Sequence, residues 1–501
     1  MKKFDFLVVG SGFSGSITAM ALTKIGYTVC LIEKSRHPRF AIGESSTPIA
    51  DMILRDLADD YDLPFLKKLS RYGEWQKYYP EIGCGLKRGF SYYHHKKGER
   101  FRSNDYHSNE LLVAASENNQ NSDTHWLRSD VDHFLVKKAT EMGVNYLDLT
   151  EILKLSRIPE NESWSVYLKS PQGLKEIECE WIIDATGSSK FSTTFLNTKS
   201  SSDGFKTHSS ALYTHFEKVK RWSEYLESNR FNISDYPYNP DHSALHHLID
   251  EGWIWMLRFN NGRLSAGILF DESNNAVDLS GSSSEKWDSV IRKYPSLQNL
   301  FSRDRIADPP NRFMETDRLQ RRLDRVYGNG WIALPHTVGF VDPLHSTGIA
   351  HTLSGVEAIL KLFGKKLNHK EKVKGLKKYQ ENTFNELNII DLLVSICYKS
   401  RTNFELFTAC TMLYFIASIR YEQIRLTGEI PDTFLCAGET EIRQIIQETY
   451  DEIQQLKMNS LTKTEIRKQV HKIRQRIEPY NFLGLMNPEF NNMYKHTTVE
   501  L

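Results

Sequence analysis

Cysteine pairs are missing from this sequence, although cysteine itself is present. No two cysteines form a C-x-x-C pair, and none has the spacing of zinc ligands, so we predict no metal site. Isolated cysteines in a long chain are typical of a reducing compartment, and we therefore predict a cytoplasmic protein. The six cysteines are Cys30, Cys84, Cys179, Cys397, Cys410 and Cys436.

Long hydrophobic runs are also missing. The longest late apolar stretch, FTACTMLYFIASI, covers residues 407–419, whereas a membrane-spanning helix needs roughly 20 apolar residues. We therefore predict a buried helix there and no membrane span. The N-terminal run in MKKFDFLVVGSG is short, strand-like and cut by glycines, which is unlike a signal peptide.

An excess of charge of either sign is absent as well. The chain of 501 residues has 64 Lys+Arg against 63 Asp+Glu, a formal net charge of +1. A dedicated nucleic-acid binder usually carries a basic excess or stripe, so we predict no nucleic-acid partner. The hydrophobic content of 40% is ordinary for a globular protein with a sizeable core.

The N-terminal segment has the pattern of a βαβ unit. An apolar strand (4–9) leads into GSGFSG (10–15), a helical segment follows to Gly26, and a second strand ends at Glu33. Glycines in G-x-G-x-x-G allow a tight turn and close approach of a pyrophosphate, which the helix N-terminus attracts. A carboxylate about 20 residues on can accept the ribose hydroxyls. This predicts dinucleotide binding, with a purely structural turn as the alternative.

Three later segments add to this pattern. GESSTP (43–48) follows the second strand, and its alternative interpretation is a loop and helix cap made by Ser45 or Ser46. WIIDATG (181–187) is a buried strand with a small-residue turn that would allow backbone to lie against a cofactor. DPLHSTG (342–348) precedes a helix whose first N–H groups, at 346–348, suit an anion or a cofactor oxygen.

These segments, in this order, resemble those of two-domain FAD enzymes. GESSTP and DPLHSTG are in addition similar to the flavin-dependent halogenases, the tryptophan-halogenase family, over roughly residues 1–365. The resemblance implies an α/β (α+β) fold: a Rossmann-like FAD-binding domain, an inserted β-sheet substrate domain and a helical C-terminal region. The implied boundaries are 1–50, 107–205 and 325–365 for the FAD-binding domain, 51–106 and 206–324 for the substrate domain, and 366–501 for the helical region.

The resemblance also implies a set of residues that contact FAD. They come from the first glycine turn, the end of the second strand, the GES loop, an R-x-x-x-D helix start, the small-residue turn and the last motif. An ordinary surface ion pair is the alternative for Arg128. The implied residues are Gly10, Gly12, Phe13, Ser14, Gly15, Glu33, Lys34, Gly43, Glu44, Ser45, Arg128, Asp184, Ala185, Thr186, Gly187, Asp342, Gly348 and Ile349.

A mechanism follows from the resemblance. A separate flavin reductase supplies reduced FAD, which reacts with oxygen to give a flavin hydroperoxide. Chloride or bromide, held by Ser346, Thr347 and Gly348, is oxidised to hypohalous acid. This travels to a lysine that directs the halogen at an electron-rich ring, free or carrier-bound, in secondary metabolism.

The lysine that matches this family position is Lys87, within GLKRGFSYYHH (85–95). Alternation over 85–106 predicts a hairpin here, and the alternative for Lys87 is a solvent-facing strand cation. Neighbouring strand residues point to opposite faces, so His94 and His95 cannot both ligate one metal. The resemblance implies that the substrate pocket includes Phe90, Tyr92, Trp253, Trp255 and His345.

The sequence departs from the family pattern in three places. The W-x-W-x-I-P signature is reduced to Trp253 and Trp255, with Arg258 where the proline would stand. His345 replaces the glutamate that tryptophan halogenases carry before Ser-Thr, and Pro335-His336 stands where related flavoproteins have Gly-Asp. These changes predict a substrate other than free tryptophan.

Two other functions stay open at this point. One is a related FAD-dependent monooxygenase, hydroxylase or dehydrogenating oxidoreductase that does not halogenate, with Lys87 as a binding residue. The other is an FAD-bound scaffold protein. The sequence does not separate a monomer from a homodimer.

Overall fold

The computed structural model describes residues 2–273, 280–302, 304–364, 367–495 and 497. The predicted border between residues 365 and 366 lies outside these residues. The strands are β1 Lys2–Val9, β2 Val29–Ile32, β3 Cys84–Lys87, β4 Gly89–His94, β5 Glu110–Ala114, β6 Asp123–Trp126, β7 Asn145–Leu147, β8 Glu151–Ile158, β9 Ser163–Ser170, β10 Gly173–Asp184, β11 Ser200–Ser201, β12 Ser209–Glu217, β13 Ala244–Ile249, β14 Gly252–Arg258, β15 Leu264–Asp271, β16 Arg305–Ile306, β17 Met314–Thr316, β18 Arg321–Leu323, β19 Tyr327–Gly328, β20 Trp331–Ala333, β21 Gly339–Phe340 and β22 Met493–Tyr494.

Helices cover the sheets and make up most of the C-terminal region. They are α1 Phe13–Ile25, α2 Pro48–Asp60, α3 Pro64–Leu69, α4 Tyr72–Tyr78, α5 Arg128–Glu141, α6 Lys190–Phe195, α7 Trp222–Ser228, α8 Ser283–Ile291, α9 Pro295–Leu300, α10 Pro335–Val338, α11 Thr347–Gly364, α12 His369–Ser400, α13 Phe404–Leu426, α14 Thr440–Gln455 and α15 Lys463–Ile477.

The first sheet contains the predicted βαβ unit. Its strand order is β19-β20-β10-β1-β2-β7, with β9 and β8 added at β10, and β1 runs parallel to both β2 and β10. Helix α1 ends at Gly26, whose φ of 112° is left-handed and whose N–H bonds back to Leu22 and Thr23, as expected for a helix C-terminus. The predicted α/β fold class is confirmed.

The second sheet has the order β16-β12-β15-β14-β13-β4-β5-β22, with β17 beside β12. Side chains alternate across it, as the strand period requires. Trp253 and Trp255 of β14 belong to the large core shared with the first sheet, whereas Ile254 and Met256 belong to a smaller core on the opposite face. Strand β5 lies in this sheet beside β4, although the predicted boundary assigned residues from 107 onward to the FAD-binding domain.

The hairpin predicted over 85–106 is wrong. Strand β3 pairs with β6, which places Lys87 opposite Asp123, and β4 pairs instead with β5 and β13. The chain changes partner at Arg88, whose N–H donates to the carbonyl of His242 at 2.7 Å. Lys87 and Phe90 therefore belong to different sheets, although they are three residues apart.

The C-terminal helices cover the large core. The apolar stretch 407–419 lies inside α13 and is buried throughout, as predicted. Among the residues that the structure describes, no helix is both long and apolar enough to cross a membrane.

Candidate active site

The turns that follow β1 and β10 touch each other. Gly10 has a φ of 99°, and a Cβ there would lie 2.8 Å from the carbonyl oxygen of Ala185. A Cβ on Gly15 would lie 1.9 Å from the carbonyl oxygen of Gly10. Only glycine fits these two positions, because a side chain would separate the two turns or strain the backbone.

The carboxylate of Asp184 holds the second turn. It accepts hydrogen bonds from Thr186 N at 3.0 Å, Thr186 Oγ1 at 2.8 Å and Ser192 Oγ at 2.6 Å. Burial raises the pKa of Asp184 to about 6, although these donors oppose the increase. These bonds fix the shape of the turn, in which the backbone of Ala185 and Thr186 faces the first glycine turn.

Arg321 is a structural residue that sequence reasoning missed. Its guanidinium donates to the carbonyls of Gly187 and His336 at 2.8 Å and of Thr337 at 3.1 Å. A half-buried arginine within a short strand, β18, carries no motif that would identify it beforehand.

Glu33 is buried at the end of β2, next to the first glycine turn. Its carboxylate accepts from Ser11 N at 3.2 Å, Ser35 N at 3.0 Å and the Arg39 guanidinium at 3.3 Å. Burial alone would raise the pKa of Glu33, but Arg39 and the two amides outweigh it and the pKa is lowered. Glu33 is therefore a carboxylate at neutral pH.

A cavity of about 470 Å³ opens beside this end of β2. Arg36, His37, His133, Tyr146 and Asp148 are among the residues that line it. His37 joins it to the glycine turn, because its Nε2 lies 2.8 Å from Ser11 Oγ. The adjacent Lys34 is exposed.

Arg128 connects the GES loop to the start of α1. Its guanidinium donates to the carbonyls of Ile42 at 2.9 Å and Gly43 at 3.0 Å, and it binds Asp132 through both Nε and Nη2. Asp132 in turn accepts from Phe13 N at 3.1 Å. The pair is buried, so the surface ion pair considered as an alternative is wrong.

The GES loop is held by groups that are distant in sequence. Glu44 Oε1 lies 2.7 Å from His215 Nε2 of β12, and both side chains are buried. Ser45 pairs with His125 in an isolated bridge. Neither Ser45 nor Ser46 caps α2, since its N-cap is Thr47 without a side-chain bond. The capping interpretation of this motif is therefore wrong.

Lys87 is completely buried, with an exposed fraction of 0%. Its Nζ donates to the carbonyl of Ser46 at 2.6 Å, lies 3.6 Å from Asp123 Oδ2 and sits 4.1 Å from the centre of the Phe90 ring. Burial lowers the pKa of Lys87, although the charges of Asp123 and Asp51 oppose the shift. The alternative of a solvent-facing cation is wrong.

An aromatic layer adjoins Lys87. Phe90 and Tyr92 lie on one face of β4, and Tyr92 stacks on His246 of β13 at 4.6 Å. Helix α13 covers them with Tyr414, which contacts the Phe90 ring at 5.9 Å and stacks on His345 at 4.6 Å. Burial lowers the pKa of His345 to about 3, so it is neutral at physiological pH.

The two predicted tryptophans extend this layer along β14. Trp253 contacts the ring of His246 at 5.1 Å and donates from Nε1 to the hydroxyl of Tyr398 at 3.0 Å. Trp255 lies two residues further along β14 and donates from Nε1 to Ser265 Oγ at 3.1 Å. His246, Tyr398 and Tyr414 carried no sequence signal, because the strand order and the position of α13 decide where they lie.

The last motif forms the turn that begins α11. Ser346 adopts a φ of 52°, and Thr347 is the first helical residue. Asp342 holds the turn by accepting from Leu344 N at 3.0 Å, Tyr398 Oη at 2.7 Å and Ser209 Oγ at 2.8 Å. Burial raises the pKa of Asp342 to about 6 against these donors.

His336 and Gly348 lie next to each other. A Cβ on Gly348 would approach the His336 ring at 3.8 Å, and a Cβ on Gly187 would approach it at 3.5 Å. The small-residue turn and the start of α11, including Ile349, are thus brought to one place. His351, three residues after Gly348 along α11, contacts Glu386 of α12 at 3.0 Å.

The adjacent histidines of GLKRGFSYYHH face opposite sides of the sheet, as predicted. His94 stacks against Phe404, whereas His95 Nε2 lies 2.9 Å from His247 Nδ1. Within the described ranges, no group of three or more His, Cys, Asp or Glu side chains could hold a metal ion.

Comparison with known proteins agrees with this arrangement. The sequence model of the tryptophan halogenase family matches residues 5–420. Monodechloroaminopyrrolnitrin halogenase PrnC of Pseudomonas fluorescens is 26% identical over 498 residues, which cover 93% of this chain and 84% of that protein. Tetracycline 7-halogenase of Kitasatospora aureofaciens is 25% identical over 366 residues, 72% of this chain and 63% of that protein.

A solved structure shares the whole fold. Halogenase PltM in complex with phloroglucinol and FAD superposes with a TM-score of 0.84, covering 98% of this chain and 99% of that chain. Its sequence identity is 20%, so this likeness concerns the fold.

Proposed function

The chain belongs to the tryptophan halogenase family, and from this premise we propose that it halogenates an electron-rich aromatic substrate, with Lys87 directing the halogen. Family membership makes the protein an FAD-dependent oxidoreductase. The observation that carries the proposal is the complete burial of Lys87 beside an aromatic layer, close to the GES loop through Ser46.

The described residues fit an FAD molecule. Gly10 and Gly15 lie where any side chain would clash with backbone, which is the cradle that a pyrophosphate needs. Glu33 is a carboxylate at the end of β2, and the cavity of about 470 Å³ lies beside it. When bound and reduced, FAD would supply the activation of dioxygen that oxidises a halide.

The residues that would hold FAD lie on two sides of the first sheet's carboxyl edge. Gly10–Gly15 and Glu33 would bind its phosphate and ribose groups. Arg128 and the GES loop, fixed to each other by the bonds to Ile42 and Gly43, would contact it from one side. The turns at Asp184–Gly187 and at the start of α11 would contact it from the other.

The start of α11 is the proposed halide site. Free N–H groups at a helix N-terminus attract anions, and α11, with 18 residues, begins at Thr347. Ser346 is 8% and Thr347 is 6% exposed, so a halide there would be largely shielded from water. Ser346, Thr347 and Gly348 would supply the amides.

Lys87 would act as a hydrogen-bond donor to hypohalous acid or as the amine that carries the halogen. A lysine suits either task, because its ammonium is compact and its pKa falls on burial. Phe90 and Tyr92 on β4, Trp253 on β14 and His345 before α11 would form walls around the aromatic substrate. His345 is neutral, which fits a substrate that offers a hydroxyl or N–H group.

Arg258 stands where the W-x-W-x-I-P signature would have its proline, but its charged group does not lie in this pocket. The Arg258 guanidinium donates to Asp241 at 2.6 Å and to the carbonyl of Val219 at 3.2 Å. It therefore ties β14 to the loops outside the aromatic layer. This geometry supports the halogenase over a function in which position 258 contacts the substrate.

A reconstituted assay tests the proposal. Purified protein is supplied with FAD, a separate flavin reductase, NADH, oxygen, bromide and a panel of phenols, indoles and pyrroles. Products with paired bromine isotope peaks are expected. Products that gain oxygen alone, whether or not bromide is present, would instead identify a monooxygenase. A protein that binds no FAD in this assay would refute both.

A further inference from the structure

Two buried carboxyl groups, Asp123 and Asp51, lie near Lys87, although one carboxylate would balance its charge. We propose that Asp123 is the positioning residue that orients Lys87 and balances its charge, while Asp51 carries the one proton that the two carboxyls share. The inference rests on the proposed role of Lys87 and adds two residues from elements outside the family motifs.

The pairing of two short strands places Asp123. Strands β3 and β6 run antiparallel with Lys87 directly opposite Asp123, and side chains directly opposite each other in such a pair interact. Nζ lies 3.6 Å from Asp123 Oδ2, and the exposed side-chain fractions are 0% and 3%. A buried ammonium needs a counter-charge of this kind.

Ser46 joins Lys87 to Asp51. Its carbonyl accepts from Lys87 Nζ at 2.6 Å, and its hydroxyl donates to Asp51 Oδ1 at 2.7 Å. Asp51 projects from the first turn of α2, four residues after Thr47. The lysine and both acids are thus fixed to the end of the GES loop, which would contact FAD.

Burial raises the pKa of both carboxyls, so one shared charge is favoured over two. Burial and the nearby charge of Asp123 raise the pKa of Asp51 well above its ordinary value. Burial also raises the pKa of Asp123, but the charge of Lys87 and a hydrogen bond from Asp51 oppose the increase. Neighbouring carboxyls of unequal environment share a proton, and here Asp51 is the donor and Asp123 the charged acceptor.

Other titratable groups face this cluster from every packed element. Burial lowers the pKa of His125 and of His246 to about 3, so neither adds charge above that pH. Burial and Asp123 raise the pKa of Glu422 well above its ordinary value, which favours the neutral form of this acid. The facing groups are Asp51 and Arg55 of α2, Asp123 and His125 of β6, His246 of β13, and Tyr414 and Glu422 of α13.

Removal of the Asp123 charge should therefore shift the pKa of Lys87 in a defined direction. Asp123 is the main group that raises the pKa of Lys87 against burial, so this pKa falls when Asp123 becomes neutral. The limb of the pH–rate profile that belongs to Lys87 then moves to lower pH, whether the ammonium or the amine is the reactive form. A role in packing alone would not move this limb.

The experiment compares Asp123→Asn with Asp51→Asn in the reconstituted bromination assay. A dione that traps free hypobromous acid reports oxidation of the halide separately from bromination of the substrate. Asp123→Asn should brominate up to about 100-fold more slowly, because misplacement of a reacting group by about 1 Å can cost that much. It should form trapped hypobromous acid at the wild-type rate, and its limb should move to lower pH.

Asp51→Asn should lose clearly less activity and move the limb less than Asp123→Asn does, because an amide still donates to Asp123 and Asp51 is the smaller of the two groups that raise the pKa of Lys87. Asp59→Asn, on the exposed side of the same helix, is the matched control and should resemble the wild type. If Asp123→Asn does not fold, Asp123→Glu replaces it. Because glutamate retains the charge, the Lys87 limb of the pH–rate profile should stay at its wild-type pH. A displaced limb would contradict the inference.

The outcomes separate this inference from the proposed function. No brominated product from the wild type would refute the proposed function itself. Bromination by the wild type together with normal product from Lys87→Met would refute the role of Lys87. A wild type that depends on Lys87, with an unchanged rate and pH profile in Asp123→Asn, would refute the inference alone.

Discussion

The two faces of the second sheet have nearly the same composition and very different surroundings. On one face, Phe90 and Tyr92 meet His246; on the other, Tyr93 and His95 meet His247. Both layers are buried, and each contains a histidine ring nitrogen without a hydrogen-bond partner among the described residues. Aromatic and histidine content therefore does not identify the functional face.

The difference lies in what covers each face. The first layer contacts Lys87 and helix α13, and belongs to the core that the first sheet shares. The second is closed by Trp222 of α7 and by Tyr294, the residue before α9. Buried carboxyls lie near both layers, since Glu110 and Glu251 adjoin the second. Within the residues that the structure describes, however, Lys87 is the only buried lysine and it lies beside the first layer, which is the basis for assigning chemistry there.

Loss of Lys87 should reduce activity more than any other change to the two layers. Lys87→Met keeps much of the side-chain volume and should slow bromination by about 10³-fold, within the range for a group that assists proton transfer. Steady-state rates with bromide and a phenol measure the effect.

Arg88→Met, one residue on, is the control. Arg88 donates outside the layer, to the carbonyls of Ser116 and Glu117, and should keep a rate close to that of the wild type. Equal losses in the two variants would mean that the buried position of Lys87 beside the aromatic layer has no special importance.

Loss of cofactor binding comes next. Gly10→Ala should weaken FAD binding by about 10- to 100-fold, because overpacking of a close backbone contact costs about 1–3 kcal/mol. Gly98→Ala is a matched control, since Gly98 also has a positive φ, of 78°, but has nothing within 4 Å of its Cβ position. Flavin absorbance after gel filtration compares them, and equal retention would contradict the proposed cradle.

Two equivalent tryptophan changes should distinguish the faces. Trp222→Phe and Trp253→Phe each remove part of a fully enclosed ring, and each should lower the free energy of unfolding by about 1–2 kcal/mol. Urea unfolding measures this free energy. Only Trp253→Phe should also reduce bromination, because Trp253 bonds to Tyr398 and so to Asp342. Equal activity in both variants would remove Trp253 from the site.

The last effect is a loss of stability at low pH that both faces should share and that is absent at neutral pH. Burial lowers the pKa of His345 and of His247 to about 3, below the ordinary value of about 6.5 in the unfolded chain. The unfolded state therefore binds more protons below pH 6.5, and stability is lost as the pH falls from about 6.5 toward 3.

His345→Gln or His247→Gln should each flatten this decline by about 1.4 kcal/mol per pH unit. Urea unfolding at several pH values measures the slope, with the exposed His208→Gln as control. Only His345→Gln should change the reaction with substrate. Slopes that match the wild type in both variants would show that these histidines are not buried in the neutral form.

Local patterns made the cofactor end predictable. The βαβ unit, Glu33, the small-residue turn and the helix after Ser346 all lie within short segments whose periodicity and glycines determine them. Lys87 was also predicted, from its match to the family position that the resemblance implies. Its setting was not, because the hairpin prediction paired the wrong strands and Asp123 lies 36 residues further on.

The remaining site residues depend on packing between distant segments. His215 reaches Glu44 across 171 residues, and Tyr414 reaches the aromatic layer from a helix predicted only to be buried. Arg321 holds two turns without belonging to a motif. Strand order and helix docking decide these contacts, and no local pattern encodes them.

The most direct test of the central role of Lys87 is the partition of hypobromous acid between substrate and trap in Lys87→Met. Wild-type enzyme should give mainly brominated substrate, with paired bromine isotope peaks. Lys87→Met should still oxidise bromide, with the hypobromous acid appearing in the trap and little brominated substrate. An unchanged ratio of brominated substrate to trapped acid would contradict the assignment of Lys87 as the residue that directs the halogen.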